Sequence, residues 1–156
     1  MEITVENQQK KIRLSPAKIS RIAKTILRHE GVLQATLSIV FVTSQKIRAL
    51  NKKYLKRAYA TDVLAFDLRD TIDTIGDRPL RRSLRGLSPI VIGDVIISTD
   101  AVKKNAHIYK TTQNKELILY VIHGILHLLG YDDHSVRDID KMRKKEEQLL
   151  EYLKIK

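Results

Sequence analysis

The sequence predicts a single α+β domain over residues 1–156, in which a small mixed β-sheet lies against helices. Short segments in which apolar and polar residues alternate, as in strands, are interspersed with longer segments in which apolar residues recur every three or four positions, as in helices. The chain has neither an internal repeat nor a low-complexity linker. Its 156 residues are enough to bury one core without disulfides or a structural metal.

The N-terminal half is expected to alternate strands with helices. Ser15 is a good N-cap residue and Pro16 fits the first turn of a helix, so a helix should begin there and end at Gly31. The other elements predicted in this half are a short strand around Ile3 and Val5, a strand over residues 36–43 and a helix from Ser44.

The C-terminal half contains the most apolar strand. Residues 90–98 are apolar apart from Gly93, Asp94 and Ser98, which indicates an inner strand with a bulge or a close backbone approach at the glycine. Regular periodicity fails from residue 69 to residue 87, so a loop is expected. The other predicted elements are a strand over residues 62–68, helices over residues 98–109 and 112–129, and a last helix that Ser135 and Asp138 cap and that packs through Val136, Ile139, Met142, Leu149 and Leu153.

The helix over residues 112–129 carries two histidines four residues apart. At about 3.6 residues per turn, this spacing places His123 and His127 on one face, so their rings can reach a common point. Gly130 is expected to end the helix in the left-handed conformation and to turn His134 toward the same point. Three imidazoles that leave a fourth position for water are typical of catalytic zinc sites. The alternative is that these histidines are satisfied by hydrogen bonds in the core.

Position 124 distinguishes this helix from that of a metallopeptidase. In the His-Glu-x-x-His helix, the glutamate takes a proton from the zinc-bound water, whereas this chain has Gly124. The chemistry would need a base from elsewhere or a metal-bound hydroxide. A glycine inside a helix costs roughly 1 kcal/mol relative to alanine, so another part of the chain is expected to approach the backbone closely there.

Composition limits the partners and the location. The formal charge is +11, from 29 Lys and Arg against 18 Asp and Glu, which favours polyanions and nucleic acid in particular, although a solvated surface of mixed charge is the simpler alternative. With no cysteine, a metal must bind to His, Asp or Glu. The absence of cysteine and of an apolar leader predicts a cytoplasmic location. The apolar run before His123 is too short to cross a membrane.

Two basic segments are candidates for holding RNA. The segment of residues 52–57 contains four basic residues, of which Lys56 and Arg57 are the last two, and it also contains Tyr54. Basic side chains beside aromatic ones can bind phosphates while bases stack. The predicted loop contributes Arg78, Arg81, Arg82 and Arg85. The alternatives are a solvated helix end for the first segment and an ordinary surface loop for the second.

The run His123-Gly-Ile-Leu-His-Leu-Leu-Gly-Tyr-Asp-Asp-His134 resembles the signature of the YbeY family of metal-dependent, single-strand-specific endoribonucleases. Three further stretches are similar to other motifs of this family in the same order: residues 50–54, 61–66 and 92–98. The resemblance spans roughly residues 37–150. It implies a metalloproteinase-like arrangement around a buried central helix, one Zn²⁺ per chain on His123, His127 and His134, and action on single-stranded RNA. It further implies maturation of the 3′ end of the RNA of the small ribosomal subunit, and ribosome quality control.

The chain departs from the family pattern at two positions. The family usually places its third histidine directly after Tyr-Asp, where this chain has Asp133, so we expect His134 to be the third ligand and Asp133 to be the alternative. The family also tends to have an arginine where Leu55 stands, and Lys56 or Arg57 is expected to take its place.

Two other classes of function would use parts of the same pattern. A zinc-dependent metallopeptidase, or another metal-dependent hydrolase, would need the metal but is disfavoured by Gly124 and by the positive charge. A ribosome-associated RNA-binding assembly factor with a structural metal would explain the charge but not an open coordination position.

Overall fold

The computed structural model describes residues 1–55, 61–69 and 90–156. These ranges form four strands and five helices, close to the predicted elements. The strands are β1 (Glu2–Asn7), β2 (Gln34–Val42), β3 (Val63–Asp67) and β4 (Ile90–Ser98), and the helices are α1 (Pro16–His29), α2 (Ser44–Leu55), α3 (Thr99–Ile108), α4 (Gln113–Leu128) and α5 (Val136–Tyr152).

The four strands form one mixed sheet in the order β1-β2-β4-β3. Strand β2 is parallel to both β1 and β4, whereas β3 is antiparallel to β4. Strand β4 therefore has hydrogen-bonded neighbours on both sides, which explains its nearly continuous apolar sequence. The predicted α+β class and the small mixed sheet are confirmed.

Helix α4, which carries the two histidines, lies at the centre of the fold. It packs against α1, α3 and α5 and against strands β3 and β4. Its side chains Ile118, Ile122 and Ile125 are fully buried. Burying each such side chain is worth roughly 1.5–3 kcal/mol. Apolar packing is therefore expected to hold this helix in place without a metal.

Two glycines allow backbone segments to approach each other closely. A Cβ atom at position 124 would lie 2.4 Å from Cγ1 of Val95 and 3.3 Å from Cγ1 of Val63, so α4 could not rest on the sheet at this distance with a larger residue. At Gly93, an added Cβ atom would lie 2.6 Å from the carbonyl oxygen of Phe66. Both close approaches were predicted from the sequence.

Side-chain caps fix where four of the helices begin. The residue before each helix accepts a hydrogen bond from a backbone N–H of the first turn, and these residues are Ser15, Ser98, Thr112 and Ser135. The predicted starts are confirmed, but Val136 is 86% exposed instead of packed, because it occupies the first helical position beyond the core. Within the described ranges, no helix has both the length and the apolar character of a membrane span.

Candidate metal centre

Helix α4 brings the rings of His123 and His127 together on one face. Their Nε2 atoms are 3.0 Å apart, and the ring planes are inclined at 84° with centroids 4.6 Å apart. Each side chain is 26% exposed. The predicted convergence of two ring nitrogens is therefore present at the protein surface rather than deep in the core.

The opposite nitrogen of each ring is held by a hydrogen bond. Nδ1 of His123 is 2.6 Å from Oε1 of Glu146, and Nδ1 of His127 is 3.1 Å from the backbone carbonyl oxygen of Tyr131. Both partners are acceptors, so each Nδ1 carries the proton and donates it. The lone pair of each Nε2 is then directed to the shared point, as in histidines that bind metals.

The turn after α4 supplies one of these acceptors. Gly130 has φ of 97°, in the left-handed region that was predicted for it. The backbone N–H of Tyr131 donates to the carbonyl of Leu126 over 3.0 Å, and that of Gly130 donates to the carbonyl of His127 over 3.1 Å. This pair of bonds is a Schellman motif. It folds the chain back so that residues 131–134 pass beside the histidine rings.

Asp133 completes a group of three possible ligands. Its Oδ2 atom is 3.6 Å from Nε2 of His127 and 3.9 Å from Nε2 of His123. His134 is 77% exposed, and its Nε2 lies 3.1 Å from Oδ1 of Asp132. Of the three predicted histidine ligands, the structure thus brings two together with Asp133, the predicted alternative, and places His134 outside this group.

The three donor atoms suit a small divalent cation. They lie within 4.8 Å of one another. Zn²⁺ binds imidazole nitrogen and carboxylate oxygen at about 2.0–2.2 Å, so neighbouring ligand atoms of a tetrahedral site are about 3.3 Å apart. The observed separations of 3.0, 3.6 and 3.9 Å lie around that value. Three protein ligands would leave room for a further ligand from solvent or substrate.

The electrostatics favour the form of histidine that binds metals. Burial lowers the pKa of His127, and the neighbouring His123 lowers it further, against the opposing effects of Asp133 and the Tyr131 carbonyl. A lowered pKa keeps the imidazole neutral at physiological pH. Its nitrogen is then available to a cation without loss of a proton.

The three candidate ligands line a surface cleft of about 530 Å³, and His127 and Asp133 also border an adjoining hollow. Asp62 is on the wall of the cleft, and its Oδ2 lies 3.4 Å from the hydroxyl of Tyr120. The two depressions together are open enough for a linear polymer to lie beside the candidate ligands.

The remaining predicted site residues have different outcomes. Lys56, Arg57, Arg78, Arg81, Arg82 and Arg85, the predicted RNA-binding residues, lie outside the described residues. Glu116, which lies two turns before His123 in α4, accepts a hydrogen bond of 2.6 Å from the hydroxyl of Thr111, which precedes the helix.

Glu146 was missed in the sequence. It lies in α5, one helical turn after the buried Met142, which was expected to pack in the core. The spacing of the two residues is the only signal that could have placed Glu146 on the same side of the helix. Which residues of α4 it would meet depends on how the two helices pack, and no local pattern specifies that.

Comparison with known proteins gives a consistent result over nearly the whole chain. The family model described as Endoribonuclease YbeY matches residues 4–154. The chain is 31% identical over 151 residues to the Endoribonuclease YbeY of Syntrophus aciditrophicus, covering 96% of this chain and 88% of that protein. It is 33% identical over 156 residues to the protein of the same name from Caldanaerobacter subterraneus, with 98% of both chains covered.

A solved structure shares the fold. The solution structure of TM1509 from Thermotoga maritima superposes with a TM-score of 0.56 at 24% identity and covers 97% of this chain and 91% of that one. This likeness supports the arrangement of the sheet and helices alone.

Proposed function

The chain belongs to the Endoribonuclease YbeY family, and from this membership and the site geometry we propose that it is a metal-dependent endoribonuclease of ribosomal RNA processing. The observation that carries the proposal is the pair of Nε2 atoms 3.0 Å apart, each on a ring whose other nitrogen is already hydrogen-bonded. The excess of 29 Lys and Arg over 18 Asp and Glu supports a polyanionic substrate.

We propose that one Zn²⁺ per chain binds to His123, His127 and Asp133. A bound Zn²⁺ polarises a phosphoryl oxygen and lowers the pKa of water. The sequence predicts His134 as the third ligand, so His134 and Asp133 are the two candidates for this position. The separations of 3.6 and 3.9 Å from the two Nε2 atoms favour Asp133, and the metal content of single variants distinguishes the two residues.

The other residues of the site orient the ligands. The Glu146 carboxylate fixes the ring of His123 and increases its electron density, because it accepts the Nδ1 proton over 2.6 Å. The Tyr131 carbonyl fixes the ring of His127 in the same way over 3.1 Å. Gly124 allows α4 to pack closely on Val95, and it has no side chain that could act as a base.

We further propose that the substrate is the 3′ end of the RNA of the small ribosomal subunit, and that the protein has a role in ribosome quality control. The sequence resemblance supports this, and a substrate of that kind agrees with the predicted cytoplasmic location. Single-stranded RNA is the form that enters an open cleft with its bases free to be contacted.

The test is cleavage of a single-stranded oligoribonucleotide by the zinc-loaded protein, with a duplex of the same sequence as control. The wild-type protein should cut the single strand, and His123→Ala with His127→Ala should abolish cutting while most RNA binding remains. Full cleavage by the double variant would refute the assignment. Turnover of a peptide and none of RNA would select a metallopeptidase, and binding of RNA with no metal-dependent cleavage would select an assembly factor.

A further inference from the structure

Helix α5 presents a stripe of residues to the cleft of the metal centre. Ile139, Met142, Arg143 and Glu146 all line this cleft. Their spacing of three and four residues places them on one side of the helix. Glu146 contacts His123 over 2.6 Å. Arg143 precedes it by three residues, or roughly 4.5 Å along the helix axis, so its guanidinium belongs to the same wall.

Arg143 is the one lysine or arginine among the described residues that line the cleft and the adjoining hollow. The described residues that line the cleft and the hollow also include four carboxylates, those of Asp62, Asp132, Asp133 and Glu146. These carboxylates alone would repel a phosphate. Arg143 therefore supplies the positive charge that, within the described part of the cleft, an RNA strand would meet beside the metal ligands.

Arg143 also differs from the two lysines that follow it on the helix. Lys144 pairs with Asp140 over 3.1 Å, and Lys145 pairs with Glu30 over 2.9 Å. Arg143 is exposed and makes no hydrogen bond or ion pair with the residues that the structure describes. Its five N–H donors are therefore available to a ligand.

We propose that Arg143 forms a phosphate-binding subsite, in which its guanidinium holds a phosphate of the RNA strand next to the metal ligands. The proposal rests on the proposed function for the identity of the strand. A planar guanidinium matches two phosphate oxygens at once, which positions the strand as well as attracting it. Arg143 is a positioning residue for RNA. The sequence had suggested only the basic residues near positions 56 and 78–85 for this role.

The test compares affinities for a single-stranded RNA with 2′-O-methyl groups, measured by fluorescence anisotropy of the zinc-loaded protein at several salt concentrations. Arg143→Ala should weaken binding about tenfold and reduce the slope of log K against log salt by about 0.7, the value for one phosphate contact on a single strand. Arg143→Lys should keep the slope and recover part of the affinity, because the charge remains but the paired donors are lost.

The matched control is Arg137→Ala, which removes the same charge from the same helix at a residue that does not line the cleft. It should leave affinity within about twofold and the slope unchanged. Equal affinity and slope for wild type and Arg143→Ala would overturn the subsite. If the wild-type protein binds RNA but does not cleave it, the proposed function fails, whereas the difference between the Arg143 and Arg137 variants still decides the subsite.

Discussion

At the scale of single residues, position 124 explains how this site differs from that of a metallopeptidase. A glutamate at this position would have to place its Cβ atom 2.4 Å from Cγ1 of Val95, which is fully buried in β4. The glycine therefore serves packing of α4 on the sheet. The chemistry must rely on the residues around the cleft rather than on a base within the histidine pair.

Gly124→Ala should destabilise the protein even though alanine is the better helix former. The gain of about 1 kcal/mol in helix propensity is smaller than the roughly 1–3 kcal/mol that overpacking a core costs. Urea unfolding of the zinc-free protein would measure the change. Val95→Ala provides the matched background, because it removes the Cγ atoms that the new methyl group would meet. Equal costs of Gly124→Ala in both backgrounds would contradict the close packing.

The third metal ligand is also decided by single residues. Asp133→Ala should lower zinc affinity at least tenfold, because its Oδ2 lies 3.6 Å from Nε2 of His127. His134→Ala should have little effect, because its ring is 77% exposed and directed to Asp132. Competition with a chromogenic chelator would measure both affinities. The opposite ranking would identify His134 as the third ligand, as the sequence predicts.

At the scale of elements, Asp100 joins three segments that are distant in the sequence. It lies in the first turn of α3. Its Oδ1 accepts from Nζ of Lys11 over 2.5 Å, and its Oδ2 accepts from the backbone N–H of Ser44 at the start of α2 over 2.6 Å. The hydrogen bonds from Lys11 and Ser44 lower the pKa of this carboxyl group. The ionised form is therefore favoured in the folded state.

Asp100→Asn should destabilise the protein by about 1–2 kcal/mol at pH 7, because it removes a charge-assisted helix cap. The sign of the pH dependence follows from the lowered pKa. The contribution of Asp100 is present above the ordinary carboxyl pKa of 3.8 and is lost as pH falls through the lower folded value. Thermal unfolding should therefore show that the difference in Tm between wild type and Asp100→Asn becomes smaller from pH 7 to pH 3.

The control for this element is Asp140→Asn, in which an exposed pair with Lys144 is removed. Such a pair is worth at most about 1 kcal/mol. A cost of Asp140→Asn equal to that of Asp100→Asn, or a difference between Asp100→Asn and wild type that grows in acid, would contradict the role of Asp100 as a cap.

At the scale of the whole molecule, what could be predicted from the sequence was local. Ser15, Ser98 and Ser135 marked helix starts because a cap needs only the next few residues. His123 and His127 converge because helical spacing alone places them. The strand order and the contact of Glu146 with His123 depend on how distant segments pack, and no periodicity specifies that.

The same distinction accounts for the third ligand. A glycine turn after α4 could be predicted, and it is present with φ of 97° at Gly130. The direction of each side chain beyond the turn depends on one residue of register. Asp133 and His134 are adjacent, but Oδ2 of Asp133 lies beside the histidine pair, whereas the ring of His134 is 77% exposed and contacts Asp132. The spacing of the histidines does not contain this information.

Metal binding is expected to stabilise the native fold. Zinc at 100 times its dissociation constant should stabilise the native state by about 2.7 kcal/mol, because the ligands come together only on folding. Thermal unfolding with zinc and with a chelator should show this increase in Tm. It should be lost in the variant with His123→Ala and His127→Ala and retained in Arg143→Ala. The protein with chelator should remain folded at 25 °C, because Ile118, Ile122 and Ile125 bury α4 without help from the site. A chain that unfolds when zinc is removed would instead have a structural metal. Such a site has no open coordination position, which would contradict the assignment as a nuclease.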